Sequence, residues 1–184
     1  NINNNKAFKN MKDFRKGIGV FLINEKNKLW VGKRIDFKND YWQMPQGGID
    51  DGEDPREAMI RELGEEVGIK KNYEILMELE QWLSYLLPDS LKKVVWEGRY
   101  VGQIQKWFAC RFYGKDEEIN LETHKPEFKD WKWIKPQDVM KSVIPFKKKL
   151  DNPRKSPYGS AHWPDRDSVG SLQSVAAAIA SRHG

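Results

Sequence analysis

The sequence has almost nothing with which to do thiol or imidazole chemistry: of its 184 residues, one is cysteine and three are histidine. Cys110 has no second thiol in the chain to pair with. Its place in the apolar stretch Trp107-Phe108-Ala109-Cys110 reads as a buried structural position rather than a nucleophile. His124, His162 and His183 lack the spacing of metal ligands, so they read as ordinary loop or tail residues. No apolar run approaches the length of a membrane span, and no signal-peptide core precedes the first strand-like segment. The expectation is a soluble, cytoplasmic chain with no membrane partner. No internal repeat is evident.

What is present suits one domain, since a hydrophobic content of 39% over this length can bury a single sizeable core. Strand-like segments lie at Gly17 to Ile23, Leu29 to Arg34, Tyr73 to Leu86, Tyr100 to Tyr113 and Trp131 to Ile134, with Asn24-Glu25-Lys26-Asn27 as a hairpin turn between the first two. Helical segments interrupt them after Asp54 and again from Pro136 toward Lys149. Isolated helices among strands predict an α/β fold with a mixed sheet covered by helices. Residues 1–13, opening on Asn1-Ile2-Asn3-Asn4-Asn5, are polar enough to be disordered. Residues 14–150 hold the domain. Residues 151–184 read as a linker around Asp151-Asn152-Pro153 and an atypical C-terminal tail foreign to that domain, with Leu172, Val175, Ala176 and Ile179 at helical spacing.

Charge is distributed unevenly. Between Asp50 and Glu66 eight acidic residues stand against two basic ones, inside a chain of formal net charge +5. Asp54 is a natural N-cap, Pro55 suits the first helical position and Glu57 completes a capping box, so a helix begins here. Met59, Ile60, Leu63 and Val67 then form one apolar stripe, while Glu62, Glu65 and Glu66 share an adjoining face through their i, i+3 and i+4 relation. Gly68 supplies the stop. An E-x-x-E-E alone is usually a solvated acidic face. Like charges about 4 Å apart repel by up to about 4 kcal/mol at an effective dielectric near 20, so a tight cluster needs solvent or cations. Magnesium suits one, because it takes few carboxylates and fills its shell with water and phosphate oxygens.

The full pattern is longer than the acidic triplet. Gly47, five residues, Glu53, seven residues, then Arg61-Glu62-Leu63-Gly64-Glu65-Glu66-Val67-Gly68-Ile69 match G-x5-E-x7-R-E-U-x-E-E-x-G-U at every fixed position, U being aliphatic. The chain therefore resembles the Nudix hydrolases. That resemblance implies an α/β/α sandwich and a loop-helix-loop that binds Mg2+, for which Mn2+ or other divalent cations can substitute, and that cleaves a nucleoside diphosphate linked to another group. It implies Glu62, Glu65 and Glu66 as metal ligands, with Glu62 and Glu66 catalytic, and Gly47, Glu53, Arg61 and Gly68 as the structural frame of the box.

Further segments resemble the branch of that family comprising the bacterial RNA pyrophosphohydrolases and dinucleoside polyphosphate hydrolases. These are Phe14-Arg15-Lys16-Gly17-Ile18-Gly19, Trp42-Gln43-Met44-Pro45-Gln46-Gly47-Gly48, Gly102-Gln103-Ile104-Gln105-Lys106-Trp107-Phe108, Pro126-Glu127-Phe128 with Trp131-Lys132-Trp133, and Pro145-Phe146-Lys147. The resemblance implies that Glu127 is a further metal ligand or base, although by itself it reads as an exposed loop acid. Arg34 would hold phosphate oxygens; Arg15, Phe146 and Lys147 would form a cleft for a base and its phosphate. Tyr85 and Lys106 would contact polyphosphate or, alternatively, satisfy the sheet surface. Trp42, Trp107, Trp131 and Trp133 read as core. The implied partners are 5′-phosphorylated RNA, dinucleoside polyphosphates, or both, with no DNA duplex recognition evident. A Nudix module that binds nucleotides without cleaving them, and a hydrolase that cleanses the nucleoside triphosphate pool, are the competing readings.

Overall fold

The computed structural model describes residues 13–35, 42–86, 93 and 95–139. Its strands are β1 (Phe14–Ile23), β2 (Leu29–Arg34), β3 (Trp42–Gln43), β4 (Gln46–Gly48), β5 (Tyr73–Glu78), β6 (Leu83–Leu86), β7 (Gly102–Phe112) and β8 (Phe128–Ile134), with helix α1 (Pro55–Glu62) between β4 and β5. They form one mixed sheet in which β1 and β7 run parallel from Phe14↔Gly102 to Ile23↔Arg111. From Gly17 onward β1 is buried and continuously apolar, as central strands are, whereas β7 is buried along its length yet keeps Gln103, Gln105, Lys106 and Arg111 among its apolar residues.

The other side of β1 is shared. Its last residue, Ile23, pairs with Leu29 of β2, whereas Gly17–Gly19 pair with Gly48–Gln46 of β4. Between β1 and β2 the sheet thus splays open, and β4 occupies the gap. The outer side of β7 is divided in the same way, with β5 along its C-terminal half and β6 along its N-terminal half. Short β3 and the longer β8 flank β2.

Alternation along β1 builds two cores. Ile18, Val20 and Leu22 meet Trp30, Phe108, Cys110, Phe112 and the α1 side of the sheet, while Phe21 and Ile23 join Leu29, Val31, Met44, Trp107 and Ala109 on the opposite face. Cys110 is fully buried, and burial pushes its thiol up to about 12, which fits an inert packing residue.

The hairpin turn at Asn24 to Asn27 is present. Asn24 Oδ1 accepts from the backbone N–H groups of Lys26 and Lys28, and Asn27 adopts a left-handed conformation, which Asn tolerates. The segment from Tyr73 to Leu86, expected as one strand, is two. A bulge interrupts β5 between Ile75 and Met77, and the chain leaves the sheet at Glu80 to Trp82, which are exposed. Sequence reading also missed β3 and β4, two- and three-residue strands too short to show a period. A 3₁₀ turn at Pro136–Asp138 begins where a second helix was expected; residues 140–149 lie outside the described residues.

The helix of the acidic segment starts as expected. Asp54 Oδ1 accepts from Arg56 N–H at 2.8 Å and Glu57 reaches back to Asp54 N–H. Ala58, Met59, Leu63 and Val67 are fully buried, but Ile60 is 47% exposed and does not belong to the apolar stripe. After Glu62 the chain widens into a π-helical turn, Leu63–Val67, ended by Gly68 at φ 75°.

Gly68 and Gly64 provide a matched test. A Cβ on left-handed Gly68 would lie 2.6 Å from the Asn120 carbonyl oxygen, whereas one on Gly64 would meet nothing closer than 3.6 Å. Gly68→Ala is expected to lower unfolding stability by about 1–2 kcal/mol or more. Gly64→Ala is expected to raise it by up to about 1 kcal/mol. Urea unfolding midpoints measured side by side check both signs.

Candidate active site

The site is assembled where β4 enters the splayed sheet and hands the chain to α1. Gly47 permits this approach, because a Cβ there would overlap the Glu62 carboxylate. On the neighbouring residue, Gly48, a Cβ would overlap the Arg15 guanidinium. Two consecutive glycines therefore allow backbone, carboxylate and guanidinium to share a space that side chains would fill.

Arg61 holds the loop to the helix. Its Nε and Nη2 donate to the two oxygens of Glu53 at 2.8 and 2.9 Å, a fork-to-fork pair. Nη2 also donates to the Gly48 carbonyl at 2.8 Å, and Nη1 to Glu62 at 2.9 Å and Glu65 at 3.1 Å. Glu53 in turn accepts from the Asp50 N–H at 2.9 Å. The Arg61 hydrogen bonds hold the Glu53 carboxyl below its ordinary range, and Glu53 keeps Arg61 still more firmly protonated.

Glu62 and Glu66 are buried, at 8% and 3% exposure. Burial pushes the Glu62 carboxyl up, with Arg61 opposing it. Glu66 is raised well above the usual carboxylate range, first by burial and then by the charges of Glu127 and Glu62. Its Oε2 accepts from Gln46 N–H at 3.0 Å, while Oε1 is buried with no donor among the described residues. Glu127, on the loop entering β8, comes within hydrogen-bonding reach of Glu66. When both carboxylates are ionised neither has a proton to offer the other, and Oε1 then lacks a partner; a proton on Glu66 would fill the contact.

The three carboxylates expected on one face, Glu62, Glu65 and Glu66, differ in exposure. Glu65 is exposed, its side chain at 61%, although it shares the Arg61 Nη1 donor with Glu62. The cause of the difference is the π-helical turn: an i→i+5 turn takes more residues to close than an α-turn, which keeps Glu66 near the direction of Glu62 and turns Glu65 toward solvent. The buried carboxylates are thus Glu62 and Glu66, with the half-exposed Glu127 beside them. Among the described residues no three acidic side chains by themselves enclose a cation. The donor set nonetheless fits a divalent ion that keeps much of its shell for water and phosphate: desolvated anions repel one another around an oxygen with no donor.

The other expected residues are dispersed around this centre. Arg34 Nη1 is bonded to Glu127 at 2.9 Å, so it steadies a carboxylate of the site. Arg15 lies with its guanidinium carbon 5.3 Å from the Trp96 ring centre. Lys106 Nζ donates to the Glu80 carbonyl at 3.1 Å and stands 3.4 Å from Glu78, contacts that serve the sheet. Tyr85 sits on β6 opposite Gln103, and its side chain lies outside the description. Phe146 and Lys147 lie outside the described residues. Sequence reasoning did not single out Gln46, whose backbone N–H holds Glu66 and whose side chain accepts from Gln105 Nε2 at 2.9 Å. No spacing rule marks such a backbone donor.

The NUDIX domain profile matches residues 13–156. The RNA pyrophosphohydrolase of Pelagibacter ubique is 48% identical over 133 residues, covering 72% of this chain and 84% of the relative. That of Rickettsia bellii is 47% identical over 137 residues, 74% of this chain and 84% of the relative. Among solved structures, a C. elegans Ap4A hydrolase binary complex superposes with a TM-score of 0.60 at 20% identity, covering 91% of this chain and 98% of that one. The E. coli dihydroneopterin triphosphate pyrophosphohydrolase gives 0.55 at 17%, covering 76% and 94%. At such identities the two superpositions establish the fold.

The raised carboxyls fix the sign of a stability test. A carboxyl whose native pKa is raised favours the folded state below its unfolded pKa, near 4.3, and that contribution is lost as pH rises through the native value. Glu66→Gln mimics the protonated form. With metal chelated, the variant should melt above the wild type at pH 8, at about 2–4 °C per kcal/mol, and the gap should close as pH falls toward 4. Added Mg2+ should raise the wild-type melting temperature more than the variant's. Equal melting temperatures at pH 8 in chelator would contradict the assignment of a desolvated, unpartnered Glu66.

Proposed function

The chain belongs to the NUDIX family, and on that premise we propose that it hydrolyses a phosphoanhydride bond at the 5′ triphosphate or diphosphate end of RNA, leaving a 5′ monophosphate, with dinucleoside polyphosphates as related substrates. The observation that carries this reading is the likeness, at 44–48% identity and over 84–85% of their length, to relatives named RNA pyrophosphohydrolase. Both substrate types present a nucleoside joined to a metal-chelating phosphate chain, so one site can serve both.

In this reading Glu62, Glu66 and Glu127 hold Mg2+, with the exposed Glu65, which shares Arg61 Nη1 with Glu62, available beside them. Magnesium, when bound, supplies charge neutralisation for the polyphosphate and Lewis acidity toward its phosphoryl oxygens. The chain's own residues do the rest. Arg61 and Glu53 fix the loop so that Gly47 and Gly48 keep the backbone close to the carboxylates. Gln46 N–H and Arg61 orient Glu66 and Glu62 before substrate arrives, so little reorganisation remains for the reaction itself. Glu127, with its side chain 42% exposed and bonded to Arg34, is the carboxylate open to solvent and accepts the proton of the attacking water. Arg34 then stabilises Glu127 and lies beside the incoming phosphates.

A magnesium-dependent assay comparing 5′-triphosphorylated RNA, diadenosine tetraphosphate and a nucleoside triphosphate, with products identified, tests the proposal. RNA should yield a 5′ monophosphate end together with pyrophosphate or successive phosphate, and chelation should stop the reaction. Glu66→Gln and Glu62→Gln should each lower kcat by about 10²- to 10⁴-fold without loss of folding. Tight binding of all three compounds with no product would replace the hydrolase with a nucleotide-binding module.

A further inference from the structure

One strained turn stands beside the site. Trp96 and Glu97 both adopt left-handed backbone conformations, at φ 52° and 58°, ahead of Gly98 at 72°. A bulky residue in that region is an outlier, and two in succession persist only where surrounding contacts hold them. Those contacts are present. The Trp96 carbonyl accepts from the backbone N–H of Arg99 at 3.2 Å and from its Nε at 3.4 Å. The indole meets Tyr100 edge-on at 6.1 Å. Two residues farther on, Val101 N–H donates to the Asp13 carbonyl at 2.8 Å, which ties the turn to the start of β1.

The turn brings the indole under Arg15, whose guanidinium carbon lies 5.3 Å over the ring centre. Among the described residues no carboxylate pairs with Arg15, and its guanidinium meets the Trp96 ring and the Gly48 backbone. A continuous path links the pair to the acidic centre. Arg15 lies against Gly48, the Gly48 carbonyl accepts from Arg61, and Arg61 donates to Glu62. An aromatic ring backing a guanidinium leaves the other guanidinium face open for a nucleobase and its edge donors open for a phosphate.

We propose that Trp96 is a positioning residue for nucleotide recognition, locking Arg15 flat so that its free face stacks on a substrate base beside the polyphosphate. This rests on the hydrolase reading and adds to it a specificity element outside the Nudix motif. The turn's strain then has a use: it aims the ring at Arg15 instead of letting the indole fold onto the sheet.

Steady-state kinetics on 5′-triphosphorylated RNA, and anisotropy of labelled RNA titrated in chelator, test the proposal together. Trp96→Ala should raise KM and the chelator Kd by roughly tenfold with kcat nearly preserved, and Trp96→Phe should restore most of the loss. Arg15→Ala should do the same, and Trp96→Ala added to Arg15→Ala should cost nothing more, because one acts through the other. Glu97→Asn, which keeps a left-handed-tolerant residue in the same turn, should retain the wild-type KM. An unchanged KM and Kd in Trp96→Ala, or losses that multiply in the double variant, would overturn the positioning role. Wild-type protein that binds RNA in chelator with this Trp96 dependence, yet turns over no substrate with Mg2+, would sink the hydrolase reading instead.

Discussion

The arrangement turns on a repulsion. Glu62 and Glu66 are withdrawn from water, Glu127 leans over them, and among the described residues opposite charge reaches the group only at its edges, from Arg61 to Glu62 and from Arg34 to Glu127. Burying an anion without a partner is costly, and here the cost falls on Glu66, which has a single backbone donor and one oxygen with none. A chain that served only to fold would have an apolar residue at that position. A chain that must grip a hydrated dication against a polyphosphate needs an electron-rich, under-satisfied pocket.

Several local features of the fold serve that placement. The split between β1 and β2 admits β4, and β4 brings Gln46 N–H to Glu66 while Gly47 clears room for Glu62. The Glu53–Arg61 fork then pins the loop to the helix it precedes. Where the α-helix widens into a π turn, Glu66 stays inward and Glu65 turns out. The same backbone therefore separates the carboxylates into an inner set and an outer one.

Much of this was legible in the sequence, for identifiable reasons. Capping signals are local, so Asp54, Pro55, Glu57 and Gly68 marked the helix ends directly. The strand-like segments at Gly17 to Ile23 and Tyr100 to Tyr113 marked β1 and β7, although not their central place in the sheet. What the sequence did not disclose depends on departures from a regular period. A uniform α-helical spacing placed Ile60 in the apolar stripe, whereas it faces solvent, and held no sign of the π turn that leaves Glu65 more exposed than Glu62. The break between β5 and β6 and the strained turn at Trp96 are tertiary, each held by contacts with segments distant in the chain.

The central claim is that Glu66 is left short of a partner in order to hold a cation. Its most direct test is anomalous diffraction from crystals grown with Mn2+ and a non-hydrolysable polyphosphate analogue. A manganese peak is expected at coordinating distance from Glu66 Oε1, shared with Glu62 or Glu127 and with phosphate oxygens. A metal density confined to other residues, with Glu66 Oε1 bonded instead to a protein donor or to water alone, would contradict it.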